Sequence, residues 1–130
     1  MTLTFEWLAA PLSIYQLPVA DAGNIAFPQN ADFYSVTMTC DEISIVAETG
    51  AIATAAKEDA DWRALKLRGV FDMSLTGIMA AISGVLAEHG VALFAVSTYN
   101  TDYILIRARD AAQASRALTA AGHVVISPDA

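Results

Sequence analysis

The sequence has a single cysteine, Cys40, and little positive charge: seven Lys and Arg stand against 14 Asp and Glu, a formal net charge of −7. One thiol excludes an intramolecular disulfide and the paired thiols of a metal ribbon, which fits a reducing cytoplasm. The acidic balance repels phosphate backbones and anionic lipid and removes the counterion release that drives nucleic-acid binding, so neither nucleic acid nor membrane is an expected partner. There is no Ser-His-Asp pattern, phosphate-cradling glycine loop or Gly-x-Gly-x-x-Gly fingerprint, and Gly69 and Gly77 have the wrong spacing for either nucleotide motif. His89 and His123 match no metal-ligand spacing. Cys40, beside Asp41, has no neighbouring base to activate it. No catalytic residue, cofactor or metal is therefore expected, and the protein is read as a non-enzyme. Long apolar runs are also missing. The longest, Leu75–Ala87, is broken by Thr76, Gly77, Ser83 and Gly84 and is too short to span a bilayer. Residues 1–12 lack the basic n-region and long apolar stretch of a signal peptide, so a cytoplasmic location is expected.

What is present is apolar. Hydrophobic residues make up 55% of the chain and charged ones 16%, more than a core requires, so the excess points to an interface and a homodimer. The 130 residues suit either one domain or two packed units of about 60 residues. In Ser74–Gly90 the residues Leu75, Ile78, Met79, Ile82, Val85 and Leu86 recur at the spacing of one helical face. Asp72 or Ser74 can cap this helix, and Gly90 supplies the left-handed residue that ends it. Before it, Leu65 and Leu67 alternate with Lys66 and Arg68, the period of a half-buried strand. After it come strand-like runs Val91–Thr98 and Asp102–Arg107, joined through Tyr99-Asn100-Thr101. A second helix starts at Asp110 and stops at Gly122, and a strand His123–Ile126 follows. The order β-α-β-β-α-β predicts a ferredoxin-like α+β unit, an antiparallel sheet with both helices on one face.

The first half repeats part of this. Phe33-Tyr34-Ser35-Val36-Thr37 and Glu42-Ile43-Ser44-Ile45-Val46 align without gaps, 60 positions on, with Leu93–Ser97 and Asp102–Ile106. Leu12–Leu17 reads as the strand before this hairpin and Ile52–Lys57 as a short helix after it. The stretch Pro18–Asp32, with Gly23 and Pro28, reads as a loop. The expectation is a degenerate N-terminal unit at 1–60 and a complete one at 61–130, with strands shared between them.

Trp62-Arg63-Ala64-Leu65, Asp72-Met73-Ser74-Leu75-Thr76-Gly77-Ile78 and Ala95–Ile106 resemble the small bacterial tandem-ACT proteins, as does Phe33–Val46 for the first half. That group is similar to the regulatory domains of aspartokinase and to the arginine-sensing ACT protein of animal cells. The resemblance implies a small-molecule ligand, a free amino acid, held in a crevice between two ACT units and bordered by the loop from first strand to first helix. Here that loop runs from Gly69 through Asp72, Met73, Ser74, Leu75 and Thr76 to Gly77, where helix N–H groups suit a carboxylate and Asp72 suits an ammonium or guanidinium. Ser97, Thr98, Asn100, Thr101 and Asp102 offer further polar groups. Plain readings stand beside these: Asp72 and Ser74 as helix caps, Ser97 and Thr98 as ordinary strand residues, Thr101 and Asp102 as hairpin closers. Two alternative functions are a detached regulatory subunit of an amino-acid biosynthetic enzyme such as aspartokinase and an interaction module without a ligand.

Overall fold

The computed structural model describes residues 2–69 and 77–127. Its strands are β1 (Thr4–Trp7), β2 (Leu12–Leu17), β3 (Ser35–Met38), β4 (Ile43–Glu48), β5 (Lys57–Leu67), β6 (Phe94–Ser97), β7 (Asp102–Arg107) and β8 (Val124–Ile126). The helices are α1 (Ile78–Glu88) and α2 (Ala111–Ala120), so the fold is mixed α+β with mostly antiparallel pairing. The chain divides into Ala10–Trp62 and a unit made of Met1–Ala9 with Arg63–Ala130.

The larger unit has the order β8-β1-β5-β7-β6. Four strands were expected there, and the fifth is β1. It pairs antiparallel with β5 through Phe5↔Leu67 and Trp7↔Leu65, and parallel with β8 through Phe5↔Val125. Its alternation of buried Phe5 and Trp7 with half-exposed Thr4 and Glu6 suits a strand with one covered face. Phe5, Trp7, Leu65, Leu67, Ile104 and Ile106 form one core with Ile78, Ile82 and Leu86 of α1 and Ala114 and Leu118 of α2. Each large side chain so buried contributes about 1.5–3 kcal/mol. The three α1 residues are four apart and so lie on one stripe.

Both helices end as their glycines require. Gly90 has φ 69° and Gly122 φ 96°. The amides of Gly90 and Val91 donate to Ala87 and Leu86, and those of Gly122 and His123 donate to Thr119 and Leu118, the Schellman pattern at each end. His123 is buried and structural: its Nδ1 accepts the Leu3 amide at 3.1 Å, and its ring meets Phe5 edge-on. The start of the helix expected at Ser74 lies outside the described residues, and α1 is described from Ile78.

The smaller unit has the order β3-β4-β2 followed by the first half of β5. It contains no α-helix among its described residues. Its core of Tyr15, Leu17, Ile43, Ile45 and Ala47 is flanked by Ala22 and Ile25 near a 3-10 turn at Val19–Asn24, and by Ile52 and Ala55. The helix expected at Ile52–Lys57 does not form; residues 49–56 are turns, and Lys57 already begins β5. Two anchors replace it. The Tyr15 hydroxyl donates to the Glu48 carbonyl at 2.6 Å and accepts the Ala51 amide at 3.1 Å. Ser13 Oγ donates to Glu58 Oε2 at 2.8 Å while the Gly50 amide donates to the same oxygen at 3.2 Å. In β5, Ala60 and Asp61 stand opposite Ser13, a bulge at which Asp61 takes φ 71°.

Candidate ligand site

Five of the polar residues named from sequence, Ser97, Thr98, Asn100, Thr101 and Asp102, belong to one hairpin. β6 and β7 pair through Phe94↔Leu105, Val96↔Tyr103 and Ser97↔Asp102, leaving 98–101 as its loop. Thr98 closes that loop three times. Its amide donates to the Thr101 carbonyl at 2.8 Å, its hydroxyl donates to the same carbonyl at 3.1 Å, and its Oγ1 accepts the Thr101 amide at 3.3 Å. Thr101 is 8% exposed and its hydroxyl donates to the Leu67 carbonyl at 2.6 Å, which fastens the tip to the end of β5. Both hydroxyls are thus engaged in holding the loop, a use that neighbouring Ser and Thr residues often have in turns.

A cleft of about 370 Å³ opens there, lined by Lys66, Arg68, Gly69, Thr98, Asn100, Thr101 and Tyr103. Strand alternation decides its chemistry. Leu65 and Leu67 enter the helix-side core, so Lys66 projects to the opposite face. Ile104 and Ile106 enter the same core, which puts Asp102 on the helix side and Tyr103 on the other. Ser97, the cross-strand partner of Asp102, donates to its carboxylate at 2.5 Å. The expected residues are therefore divided. Thr98, Asn100 and Thr101 line the cleft, whereas Ser97 and Asp102 pair with each other on the other face. Gly77 precedes α1 with φ 83°, a conformation that suits glycine, and Asp72, Met73, Ser74, Leu75 and Thr76 lie outside the described residues.

Lys66 and Arg68 were not singled out from the sequence, although a signal existed. Two cations two positions apart on a strand share a face at about 6.6 Å, where they repel by about 0.6 kcal/mol in water and by more in a partly desolvated cleft. A chain with only seven basic residues and a net charge of −7 places two of them side by side at this one spot. No carboxylate is among the described residues lining the cleft. Arranged this way, the groups can hold an anion: two cationic heads and the Asn100 amide, beside the backbone of Gly69, whose φ is 108°. Among the described residues no set of three or more His, Cys, Asp or Glu is gathered as for a metal. No helix there is long and apolar enough to cross a membrane.

Residues 57–120 match the family model of the ACT domain. The human protein CASTOR3P is 33% identical over 91 aligned residues, covering 60% of this chain and 56% of that protein, so the match spans just over half of the relative's length. A solved structure of a protein from Agrobacterium tumefaciens superposes with a TM-score of 0.83 at 28% identity, covering 98% of this chain and 94% of that one. The regulatory subunit of aspartate kinase from Thermus thermophilus superposes with a TM-score of 0.63 at 13% identity, covering 93% and 99%, a likeness of fold.

Proposed function

Since the chain is a small ACT-domain protein, with that domain over residues 57–120, we propose that it is a non-enzymatic regulatory protein that binds a free amino acid in the cleft between the end of β5 and the β6–β7 loop. The observation that carries this reading is the placement of Lys66 and Arg68 with Asn100 around a 370 Å³ cleft in an otherwise acidic chain. The ligand's carboxylate meets the two cations. Asp72, Met73, Ser74, Leu75 and Thr76 follow Gly69 closely in the chain and belong to the proposed site by that position, Asp72 supplying the charge for an ammonium group. The protein acts in the cytoplasm as a homodimer, the apolar excess of its sequence covering an interface between copies.

Thermal unfolding with each of the twenty amino acids tests the reading. A ligand at 100 times its Kd raises stability by about 2.7 kcal/mol, and calorimetry then measures the affinity directly. Failure of every amino acid to raise the midpoint removes the proposal. A second reading, a detached regulatory subunit of an amino-acid biosynthetic enzyme, draws on the full-length overlap in fold with the Thermus thermophilus subunit. Co-purification with a kinase or synthase would favour it, and light scattering settles whether the protein alone is dimeric.

A further inference from the structure

We infer that the ligand of this cleft is doubly anionic, a dicarboxylic amino acid or another small molecule with two acidic groups, rather than a neutral or basic one. The inference rests on the reading of the cleft as the ligand site and goes further in naming the charge of what fills it. Lys66 and Arg68 lie on the same face of β5 and its continuation, and the cleft wall places both beside the tip of the β6–β7 hairpin. Glu6 stands opposite Lys66 across the β1–β5 pair, on the same face, but is not among the described residues that line the cleft. A single ligand carboxylate leaves one of the two lining cations without a ligand partner. Two acidic groups neutralise both.

The two threonine hydroxyls of the cleft strengthen the case, because they are spent elsewhere. Thr98 Oγ1 is engaged with Thr101 at 3.1 and 3.3 Å, and Thr101 Oγ1 with the Leu67 carbonyl at 2.6 Å. Besides Tyr103, the side-chain donors of the lining are then the Lys66 ammonium, the Arg68 guanidinium and the Asn100 amide, all of which favour acceptor oxygens. Asp102, the acidic residue nearest in sequence, is held by Ser97 at 2.5 Å on the opposite face of the hairpin and is directed away from the cleft. The described lining thus offers cations and an amide without a carboxylate to receive a basic side chain. Arginine or lysine as ligand would bring a third positive charge to two that already repel.

Isosteric pairs separate charge from shape. Calorimetry with L-glutamate against L-glutamine and L-aspartate against L-asparagine, with succinate, inorganic phosphate and L-arginine alongside, should show the acidic member of each pair at least tenfold tighter, with the preference shrinking as salt is raised. Tighter binding of succinate than phosphate identifies a dicarboxylate; the reverse identifies a phosphorylated ligand; either supports the inference. Arg68→Gln and Lys66→Gln should each reduce glutamate affinity tenfold or more and bring it towards that of glutamine, while Arg68→Lys retains the preference; unchanged circular dichroism shows that the variants fold. Equal affinities for glutamate and glutamine, or tighter binding of arginine, overturn the inference and leave the site itself standing. Absence of binding by every compound overturns the site and the inference together.

Discussion

The two hairpins β3–β4 and β6–β7 are built alike and used differently. β3 and β4 pair through Val36↔Ile45 and Met38↔Ile43, with 39–42 as the loop, so each residue corresponds to the one 59 positions later in β6–β7. Thr39 repeats the work of Thr98: its amide donates to the Glu42 carbonyl at 3.0 Å, its Oγ1 accepts the Glu42 amide at 3.2 Å, and its hydroxyl reaches the Glu42 carbonyl at 3.5 Å. The divergence begins three residues on. Glu42 stands where Thr101 stands, and it meets Gln16 at 3.2 Å on the surface, whereas Thr101 is buried against Leu67. Ile43 stands where Asp102 stands, fully buried in one unit and half-exposed in the other. One hairpin thus closes a core under loops and a 3-10 turn. The other, supported by α1 and α2, holds its tip beside two cations. Packing under the sheet leaves the tip free to carry polar chemistry.

The largest expected effect comes from exchanging the roles. Ile43→Asp puts an unpaired carboxylate where Ile43 is 0% exposed and should cost more than about 4 kcal/mol, read as loss of the cooperative urea transition of that unit. A well-folded variant would mean that position 43 is as open as position 102 and would remove the contrast. Next, Ile45→Ala and Ile104→Ala, at equivalent buried positions, should each lower stability by about 2–5 kcal/mol in chemical denaturation. A near-zero effect at either site would break the correspondence of 59.

Thr101→Val removes the hydroxyl that reaches the Leu67 carbonyl and should cost about 1–3 kcal/mol, while Glu42→Gln, on the surface, should change stability by less than about 0.5 kcal/mol. Equal thermal midpoints for the two variants would erase the distinction between a pinned tip and a free one. The smallest effect belongs to Glu58. The hydrogen bond from Ser13, then that from Gly50, holds its carboxyl below the ordinary value of 4.5. A depressed folded value makes its contribution complete above 4.5 and lost as pH falls through the folded value. The midpoint gap between the parent and Glu58→Gln should therefore narrow on acidification below that range, and a gap independent of pH would show that the charge is not what Ser13 and Gly50 hold.

The repeat was legible in the sequence, but its register was not. Aligned by residue likeness, the two halves match at an offset of 60, which pairs Ile45 with Leu105; in the sheet Ile45 corresponds to Ile104. The slip matters because strand side chains alternate, so an error of one residue moves every side chain to the other face. Runs such as Ile45–Ala47 and Ile104–Ile106 are apolar on both faces, and β-type likeness cannot tell 59 from 60. The ligand cleft was partly legible for a related reason. Thr98, Asn100 and Thr101 form a polar turn that draws attention, whereas Lys66 and Arg68 look like the solvated side of a half-buried strand.

The sequence by itself determined the α+β class, the order of strands and helices in residues 63–126, the glycine stops at Gly90 and Gly122 and the acidic balance, because periodicity, turn chemistry and charge are local properties. Tertiary structure decided the rest. That β1 enters the sheet of the larger unit between β5 and β8, that β2 pairs with the first half of β5 through a bulge at Asp61, and that Lys66 and Arg68 line one cleft with Asn100 all depend on pairing between distant segments. Such pairing is selected by burial of complementary faces, and the spacing of residues along one chain carries no record of which strand will lie next to which.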